Sequence, residues 1–231
     1  MYYDLHIHSS LSPCSDDDMT VNNIINMAII KELELIAITD HNSLLQNKAL
    51  RDAYENKIKV LYGAELESIE EVHCLALFDN YDNAMRMNQF IEDKLIKEFN
   101  DYLYYGHQYV MDENDNIIRE YPYLLIKSLE IRLKDLIDVI HEYHGIAILA
   151  HIYARRYSVH YSFKKIKSEW NFDGVEVNKA EDIIRFKEEY PEYKDRIILV
   201  NSDAHSLYDI NERENDIDYK ILEERFERWR N

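Results

Sequence analysis

The feature that most constrains the fold of this chain is a regular alternation of short apolar runs with longer segments of helical periodicity. Runs with the length and composition of β-strands cover residues 2–8, 34–39, 58–65, 72–78, 146–150, 174–177 and 197–200. Helical spacing of apolar residues covers 20–31, 44–56, 81–101, 128–143, 163–170, 180–190 and 216–230. Such alternation is typical of a mainly parallel sheet or barrel, so we predict an α/β fold.

Two connections depart from this alternation. The predicted third and fourth strands are joined by residues 66–71, which is too short for a parallel crossover and predicts an antiparallel pair. The connection between the fourth and fifth strands, 79–144, is oversized, and 108–118 has the pattern of two short strands around a turn at 112–116. We expect an inserted hairpin or lid at 102–123, because loops this long are usually functional or disordered.

Composition limits the size and environment of the protein. The chain has 231 residues, of which 46% are hydrophobic, enough for one sizeable core, so we expect a single domain over 1–231. No apolar run approaches the roughly 18 residues of a membrane-spanning helix, and the first residues lack the pattern of a secretory signal. We therefore expect a soluble, cytoplasmic protein in which Cys14 and Cys74 are unpaired thiols.

Charge and glycine content restrict the partners. The formal net charge is −18, which disfavours duplex nucleic acid and anionic membranes as partners, because both require a cationic surface. The chain has only four glycines, and they are too far apart to form a glycine-rich phosphate loop. We predict neither duplex nucleic acid nor a membrane as partner, and the sequence leaves the oligomeric state open.

Residues with metal-ligating side chains collect at one end of the predicted strands. His6 and His8 end the first strand and share one face because they lie two residues apart, and by the same spacing we place Asp4 on that face. Other strand ends carry His41, Glu65, His151, Asp203 and His205, and the antiparallel fourth strand brings His73 beside Glu65. In parallel α/β barrels this end carries the active site. We assign His107, His141, His144 and His160 to the surface or to packing.

This collection of side chains suits a cluster of metal ions. A lone strand histidine is more often structural, but neutral imidazoles with a few carboxylates are ligands that zinc, manganese and ferrous iron accept. With Asp16 from the loop after the first strand, the candidate ligands are His6, His8, Asp16, His41, Glu65, His73, His151, Asp203 and His205. They suffice for two or three adjacent ions if Glu65 and Asp203 bridge. Clustered ions neutralise phosphate oxygens and activate a bridging water near neutral pH.

Six motifs together resemble the PHP family, the polymerase and histidinol phosphatase superfamily of metal-dependent phosphoesterases. They are Asp-Leu-His-Ile-His-Ser (4–9), Thr-Asp-His-Asn-Ser (39–43), Gly-Ala-Glu (63–65), Val-His (72–73), Ala-His (150–151) and Asn-Ser-Asp-Ala-His (201–205), in the family's order. The resemblance is to the compact phosphoesterase branch. It implies a distorted (β/α)7 TIM-like barrel, here with an inserted helix and hairpin segment at about 79–127 between strands four and five.

The resemblance also implies a trinuclear site. One ion would take His6, His8, Glu65 and Asp203, a second Glu65, His73 and His151, and a third Asp16, His41 and His205. Asp17 is an alternative to Asp16, because the sequence at 15–18 departs from the family's frequent Ser-Asp-Gly. Asp4 and Asp40 would orient imidazoles by accepting their second N–H. The nucleophile would be a metal-bridging water beside Glu65, Asp203 and His205.

The segment after His151 also departs from the family, whose members often continue as His-x-Asp-Arg-Pro. This chain has Arg155 and Arg156 instead. A guanidinium binds phosphate through two parallel hydrogen bonds, so we predict that Arg155, Arg156 and Asn178 bind the substrate phosphate, with a surface arginine pair as the alternative. The tyrosines at 102, 104, 105 and 109 either pack the insertion onto the barrel or stack on a nucleobase.

We therefore predict a metal-dependent phosphoesterase that hydrolyses the phosphomonoester of a nucleotide or small phosphorylated metabolite, using zinc, manganese or iron. Alternatives within this class are a histidinol-phosphate phosphatase and an enzyme that acts on the 5′ end of a short oligonucleotide. Alternatives outside it are a metal-dependent amidohydrolase and a non-catalytic metal-binding accessory module. Amidohydrolases usually carry a bridging lysine or carboxylate on strand four, where this chain has His73, and loss of ligands would mark an accessory module.

Overall fold

The computed structural model describes residues 1–54 and 57–230. The strands of the main sheet are β1 Tyr3–Ile7, β2 Leu35–Ile38, β3 Lys59–Glu67, β4 His73–Phe78, β7 Ile146–Leu149, β8 Gly174–Glu176 and β9 Ile197–Leu199, and a separate hairpin consists of β5 Tyr109–Met111 and β6 Ile117–Glu120. The main sheet has the order β1-β2-β3-β4-β7-β8-β9. An isolated bridge between Ile7 and Ala204 joins its first strand to the loop after its last strand. The protein thus has a curled seven-stranded sheet, consistent with a TIM-like barrel.

Eight α-helices occur in the described residues. They are α1 Val21–Ile30, α2 Asn47–Ala53, α3 Tyr81–Lys94, α4 Tyr102–Tyr105, α5 Leu133–Glu142, α6 Val159–Phe163, α7 Glu181–Glu189 and α8 Tyr219–Arg230. None of these helices is long and apolar enough to cross a membrane. The predicted end of the second helix, at residue 56, lies outside the described residues.

Strand β4 runs against its neighbours. It pairs antiparallel with both β3 and β7, whereas the other adjacent strands of the main sheet pair in parallel. The antiparallel pairing expected for the third and fourth strands is therefore confirmed. Its register places His73, at the start of β4, opposite Glu67 at the end of β3. As a result, His73 lies at the same end of the sheet as the carboxyl ends of the parallel strands.

Strand β1 contains an irregularity that decides which of its side chains reach the site. Asp4 pairs with Ile36 and Ile7 with Ile38, so β1 has one more residue than β2 between these pairs. An extra residue reverses the alternation of faces along the strand. Accordingly, Leu5 packs in one apolar cluster and Ile7 in another. The regular alternation that placed Asp4 on the face of the two histidines does not hold across this irregularity.

The predicted helix at 163–170 is wrong. Helix α6 instead ends at Phe163, and Lys164 adopts the left-handed conformation, with φ of 68°. The Ser158 side chain caps the start of α6 by accepting a hydrogen bond from the Tyr161 backbone N–H. Ile166 and Trp170 are both buried. The helix-like spacing of apolar residues in this segment therefore reflects the burial of a non-helical loop.

Two other helices are shorter than predicted because their ends pair with each other. Leu95 leaves α3 with an extended backbone, and it forms an isolated antiparallel bridge with Leu129. The helices predicted at 81–101 and 128–143 therefore end at Lys94 and begin at Leu133, respectively.

The segment predicted as an insertion packs on the loop after β1. The Tyr109 N–H donates to the Ser10 carbonyl oxygen at 2.9 Å. Gly106, with φ of 101°, lies so close to Pro13 that a Cβ atom would be 2.1 Å from the Pro13 carbonyl oxygen, a position that only glycine can occupy. Tyr102, His107 and Tyr109 form a column of stacked rings. The role of this segment as a lid, and its bounds as a domain insertion, stay predictions.

Candidate metal centre

All predicted ligands except Asp16 meet at one end of the sheet. His6 and His8, at the end of β1, have their Nε2 atoms 3.1 Å apart. The Oδ1 atom of Asp203, from the loop after β9, lies 3.2 Å from His6 Nε2 and 3.1 Å from His8 Nε2. The residues brought together are His6, His8, His41, Glu65, His73, His151, Asp203 and His205. They come from five strand ends and from the start of β4.

Glu65 lies at the centre of this cluster. Its Oε1 atom is 2.7 Å from His73 Nδ1 and 2.9 Å from His151 Nε2. Its Oε2 atom is 3.1 Å from His41 Nδ1. The same carboxylate is 3.4 Å from His6 Nε2. A carboxylate between several imidazoles has the placement required to bridge two ions.

Three overlapping groups each bring their ligand atoms within 4.8 Å of one another: His6, His8, Glu65 and Asp203; His41, Glu65 and His73; and His8, His41 and His205. The first group contains the same residues as the first ion site implied by the family resemblance. The other two groups share His41, which lies between Glu65 and His205. Imidazole nitrogens and carboxylate oxygens form a donor set that suits borderline divalent ions.

In His6 and His8 the Nδ1 atom, which points away from the cluster, makes a hydrogen bond. This indicates that the Nε2 atom, which points into the cluster, carries no proton when a cation is bound. His6 Nδ1 lies 2.9 Å from Glu176 Oε2, so Nδ1–H donates and Nε2 carries a lone pair. Ser12 Oγ donates to Asp40 at 2.7 Å and can therefore accept from His8 Nδ1 at 3.1 Å. The two Nε2 lone pairs then face each other and an Asp203 oxygen. Such an arrangement needs a cation between the lone pairs, so the residues fit a metal ion.

Protons occupy the cluster when it holds no cation. Burial disfavours charge on His6, but Glu176, Asp203 and Glu65 raise its pKa well above the usual value. Burial together with the neighbouring His41 lowers the pKa of His8 well below its usual value. Burial opposes ionisation of Glu65, yet the imidazoles around it, His73 foremost, hold its pKa well below the usual range. Metal binding therefore has to displace protons and is expected to weaken in acid.

Two residues of the cluster, and one residue beside it, have backbone angles in the left-handed region. Asn42, His151 and Asp203 follow β2, β7 and β9 with φ of 44°, 27° and 57°. Positive φ at a residue other than glycine costs on the order of 1–3 kcal/mol and persists only where the surroundings impose it. At Asn42 the side-chain amide donates to the carbonyl oxygens of Leu125 and Lys127, both at 2.7 Å. The backbone geometry at this end of the sheet therefore lowers the stability of the fold.

Two carboxylates of the site were not predicted from the sequence. Glu176, only 2% exposed, contacts His6 and accepts a hydrogen bond from the Asn201 side-chain amide at 2.8 Å. Glu67 Oε2 lies 3.4 Å from His73 Nε2. The available signal for Glu176 was a charged residue within the otherwise apolar strand Gly-Val-Glu-Val, because such a residue is seldom buried without a partner.

Asp4 and Asp40 do not accept an imidazole N–H directly in the hydrogen bonds of the described part of the chain. The irregularity in β1 turns Asp4 away, and it instead accepts from Ser202 Oγ at 2.5 Å and from the Asn211 N–H at 3.0 Å. Asp40 reaches His8 only through Ser12. Glu176 makes the direct contact that was predicted for these two carboxylates.

Asp16 does not join the cluster. It is exposed and lines a different cavity, together with Lys31 and Tyr208. Cys14, two residues earlier, lines the metal-centre cavity instead. Burial alone would raise the pKa of the Cys14 thiol, but His41 and His205 outweigh it and lower the pKa to about 6.

The cluster opens into a cavity of about 540 Å³, within the usual size range of small-molecule sites. Arg155, Arg156 and Asn178 line this cavity and are exposed. Within residues 1–54 and 57–230, neither arginine forms an ion pair with a carboxylate. Tyr157 also lines the cavity and stacks on His73, with ring centroids 4.9 Å apart and an interplanar angle of 12°.

Comparison with solved structures identifies relatives of the fold. The lesion-specific endonuclease Q of Pyrococcus furiosus superposes with a TM-score of 0.65 at 19% identity, over 89% of this chain and 48% of that chain. Endonuclease Q in complex with a 27-mer duplex substrate that has an abasic lesion at the active site gives the same TM-score and identity, over 49% of that chain. This chain therefore spans about half the length of these two structures. Because endonuclease Q binds a duplex, the prediction that excluded duplex nucleic acid is not supported.

Two further structures match along nearly their whole length. A protein from Bifidobacterium adolescentis assigned as a metal-dependent phosphoesterase has a TM-score of 0.64 at 16% identity, over 98% of this chain and 96% of that chain. An amidohydrolase from Chromobacterium violaceum has a TM-score of 0.61 at 17% identity, over 97% of both chains. At such identities the likeness shows the fold alone.

No curated protein matches the sequence. The PHP domain family, however, matches residues 4–231. This match extends over almost the whole sequence and contains every residue of the metal centre described above. The protein therefore belongs to the PHP domain family.

Proposed function

We propose that this protein is a metal-dependent phosphoesterase that hydrolyses the phosphomonoester of a nucleotide or a small phosphorylated metabolite. The observation that carries this proposal is the convergence of imidazole and carboxylate lone pairs at the base of a cavity of about 540 Å³. Membership of the PHP family and the fold shared with a protein assigned as a metal-dependent phosphoesterase agree with it.

The ligand groups would hold two or three ions of zinc, manganese or iron. His6, His8, Glu65 and Asp203 would hold one ion, and Glu65 with His41, His73 and His151 a second. His205 and His41 would contribute to a third. When bound, such ions neutralise phosphate oxygens and lower the pKa of water enough to supply a nucleophile near neutral pH.

The protein side chains set up this chemistry before substrate binds. Glu176 and Ser12 hold the outer nitrogens of His6 and His8, which keeps both inner nitrogens directed at Asp203. His205 Nδ1 lies 2.8 Å from the Asp203 backbone oxygen, so this ring is fixed beside the same carboxylate at the edge of the cavity. Groups oriented in advance avoid the cost of reorganisation during the reaction.

Arg155, Arg156 and Asn178 are the proposed ligands of the substrate phosphate. They line the cavity that contains the cluster. Among the described residues neither guanidinium has a carboxylate partner, so both are available to an anionic substrate. The planar guanidinium matches two phosphate oxygens at once. On a surface with a net charge of −18, these cations and the bound ions would provide the local attraction for phosphate.

The test is to purify the protein without chelators, quantify its metals and measure phosphate release. The substrates are nucleoside monophosphates, small sugar phosphates, histidinol phosphate and 5′-phosphorylated short oligonucleotides. We expect release from at least one substrate, its loss on chelation and its recovery when zinc, manganese or iron is restored. Absence of release from every substrate would contradict the proposal, and tightly bound metal in such an inactive protein would favour an accessory module.

Phosphodiester cleavage is a second candidate. It is favoured by the similarity of the fold to endonuclease Q, which is known in complex with a duplex containing an abasic lesion. An abasic duplex and a small chromogenic phosphodiester therefore belong in the same assay. Faster turnover of either phosphodiester than of every phosphomonoester would replace the first proposal with this one.

A further inference from the structure

Tyr157 presents an aromatic ring to the metal-centre cavity. It lines this cavity together with Arg155 and Arg156, and 41% of the residue is exposed. One face of its ring lies on His73, with ring centroids 4.9 Å apart and an interplanar angle of 12°. In the part of the chain that the structure describes, no second ring stacks on Tyr157 and its hydroxyl has no hydrogen-bond partner. The opposite face and the hydroxyl edge are therefore open to a ligand in the cavity.

The backbone of Tyr157 adopts a conformation that favours glycine. Its φ angle is 54°, and a bulky side chain in this left-handed region is rare and strained. Two hydrogen bonds hold the turn, because the His73 N–H donates to the Tyr157 carbonyl oxygen at 2.9 Å and Ser158 Oγ donates to the Ala154 carbonyl oxygen at 2.8 Å. Strain that the surrounding structure maintains is concentrated at functional sites, so a tyrosine at this position indicates a use for its side chain.

Apolar side chains add to the wall of the cavity that contains Tyr157. Ile126 and Ala154 line the same cavity, and both are partly exposed. Because Tyr157 contacts the imidazole of His73, a substrate with its phosphate at the cluster can reach this wall with its remaining atoms. A flat aromatic group gains more from such a wall than a hydrated sugar does, since its faces are apolar and stack on another ring.

We propose that Tyr157 determines the specificity of this cavity, because its open face stacks on a planar aromatic group of the substrate, which in a nucleotide is the base. The inference rests on the proposed hydrolysis of phosphomonoesters and deepens it, since it favours nucleotides over sugar phosphates. Every base has a flat π face, so stacking distinguishes a substrate with a base from one without and accepts different bases. The ring thus has two contacts, His73 on one face and the substrate on the other.

The kinetic test compares adenosine 5′-monophosphate with ribose 5-phosphate, which has the same phosphoester but no base. KM is measured for both substrates with metal-loaded wild type, Tyr157→Phe and Tyr157→Leu. Tyr161→Leu, at an exposed position of α6, is the matched control. We expect KM to be lower for the nucleotide by about tenfold or more in the wild type, Tyr157→Phe and Tyr161→Leu. We expect this difference to disappear in Tyr157→Leu, because leucine is apolar but has no ring.

Two kinetic results would overturn the inference. One is an equal KM for the two substrates in the wild type, a comparison that needs no variant to fold. The other is a difference between the substrates that persists in Tyr157→Leu. If Tyr157→Leu instead impairs both substrates by the same factor, the ring only positions His73, and stacking on the substrate is excluded.

Binding without turnover separates this inference from the proposed reaction. Equilibrium dialysis of the zinc-loaded wild type and Tyr157→Leu measures the Kd of adenosine 5′-monophosphate, and competition measures that of ribose 5-phosphate. We expect Tyr157→Leu to bind the nucleotide about tenfold or more weakly than the wild type and to bind ribose 5-phosphate equally well. Equal nucleotide affinities, or no nucleotide binding to the wild type, would overturn the inference. Nucleotide binding that depends on Tyr157 without release of phosphate would contradict the proposed function and leave the stacking role standing.

Discussion

At the scale of single residues, hydrogen bonds to the outer nitrogens of His6 and His8 fix two imidazoles of the candidate metal centre before a ligand arrives. His6 shows this most clearly, because its Nδ1 atom lies 2.9 Å from Glu176 while its Nε2 atom faces His8, Asp203 and Glu65. The side chain of Glu176 is in turn held by Asn201. The ring is therefore positioned from both sides, and each contact determines which nitrogen is available to a metal ion.

Replacing Glu176 tests whether its contact with His6 Nδ1 contributes to metal binding. In Glu176→Gln the amide cannot accept from His6 Nδ1–H with the strength of a carboxylate, so we expect metal affinity and turnover to fall by about 10–100-fold while the fold is retained. Competition with a chromogenic chelator measures the affinity. Glu188→Gln, at an exposed position of α7, is the matched control. Unchanged metal affinity in Glu176→Gln would contradict the role given to this contact.

The arginines of the cavity allow a separate test of substrate binding. We expect Arg155→Ala and Arg156→Ala to raise KM by about tenfold or more with a smaller effect on kcat, because a charge-assisted hydrogen bond contributes about 1.5–3 kcal/mol. Steady-state kinetics on the best substrate measures both parameters. Arg119→Ala, on the exposed strand β6, is the control. Equal KM values in all three variants would exclude both arginines as phosphate ligands.

At the scale of secondary-structure elements, the sequence predicts the strands better than the helices. Each predicted sheet strand overlaps an observed one, because apolar runs bounded by polar turns are local signals. The ends of α3 and α5 were not predictable locally, since a tertiary bridge between Leu95 and Leu129 sets them. The extra residue in β1 likewise depends on pairing with β2, so the position of Asp4 could not be derived from spacing alone.

The packing of α6 against the end of α7 makes a pH-dependent contribution to stability. His160 Nε2 lies 2.9 Å from the Tyr190 hydroxyl. Burial lowers the pKa of His160 below its usual 6.5, although the nearby Glu189 opposes this shift. The unfolded chain therefore binds more protons at this site, and the contribution to stability is lost as the pH falls from above 6.5 through the lowered pKa.

Removing this titration gives a measurable difference. Gln at position 160 can still bond to the Tyr190 hydroxyl but takes up no proton, so we expect His160→Gln to lose less stability than the wild type between about pH 7.5 and pH 5. Thermal unfolding followed by circular dichroism at several pH values measures the difference in Tm. If the gap between the two Tm values stays constant over this range, the assigned shift is incorrect.

At the scale of the whole molecule, the sequence predicts which strand ends bring candidate ligands together. It does not predict the loop path or the contacts that hold those ligands. The motifs predicted the cluster because its ligands follow the ends of five strands or, for His73, begin the antiparallel strand β4, and the sheet brings these positions together. The side chains of Cys14 and Asp16 are assigned to different cavities by the path of a loop, which no periodicity describes. With a net charge of −18, any cations held by the cluster would offset part of the electrostatic repulsion within the whole protein.

Removal of metal tests this dependence. A ligand present at about 100 times its Kd stabilises the folded state by about 2.7 kcal/mol, which corresponds to roughly 5–10 °C in Tm for a domain of this size. We therefore expect a chelator to lower Tm by about this amount, and restored zinc or manganese to reverse the change. Calorimetry measures it, with excess magnesium as a control for nonspecific ionic effects. An unchanged Tm would show that the cluster holds no tightly bound ion.

The central claim is that a metal cluster built around Glu65 and Asp203 hydrolyses phosphomonoesters. Its most direct test is the rate of phosphate release by metal-loaded wild type and Asp203→Asn, with Asp195→Asn at an exposed position as the control. We expect Asp203→Asn to lose several orders of magnitude in kcat/KM while its circular dichroism spectrum is retained, and Asp195→Asn to match the wild type. An Asp203→Asn variant as active as the wild type would contradict the claim.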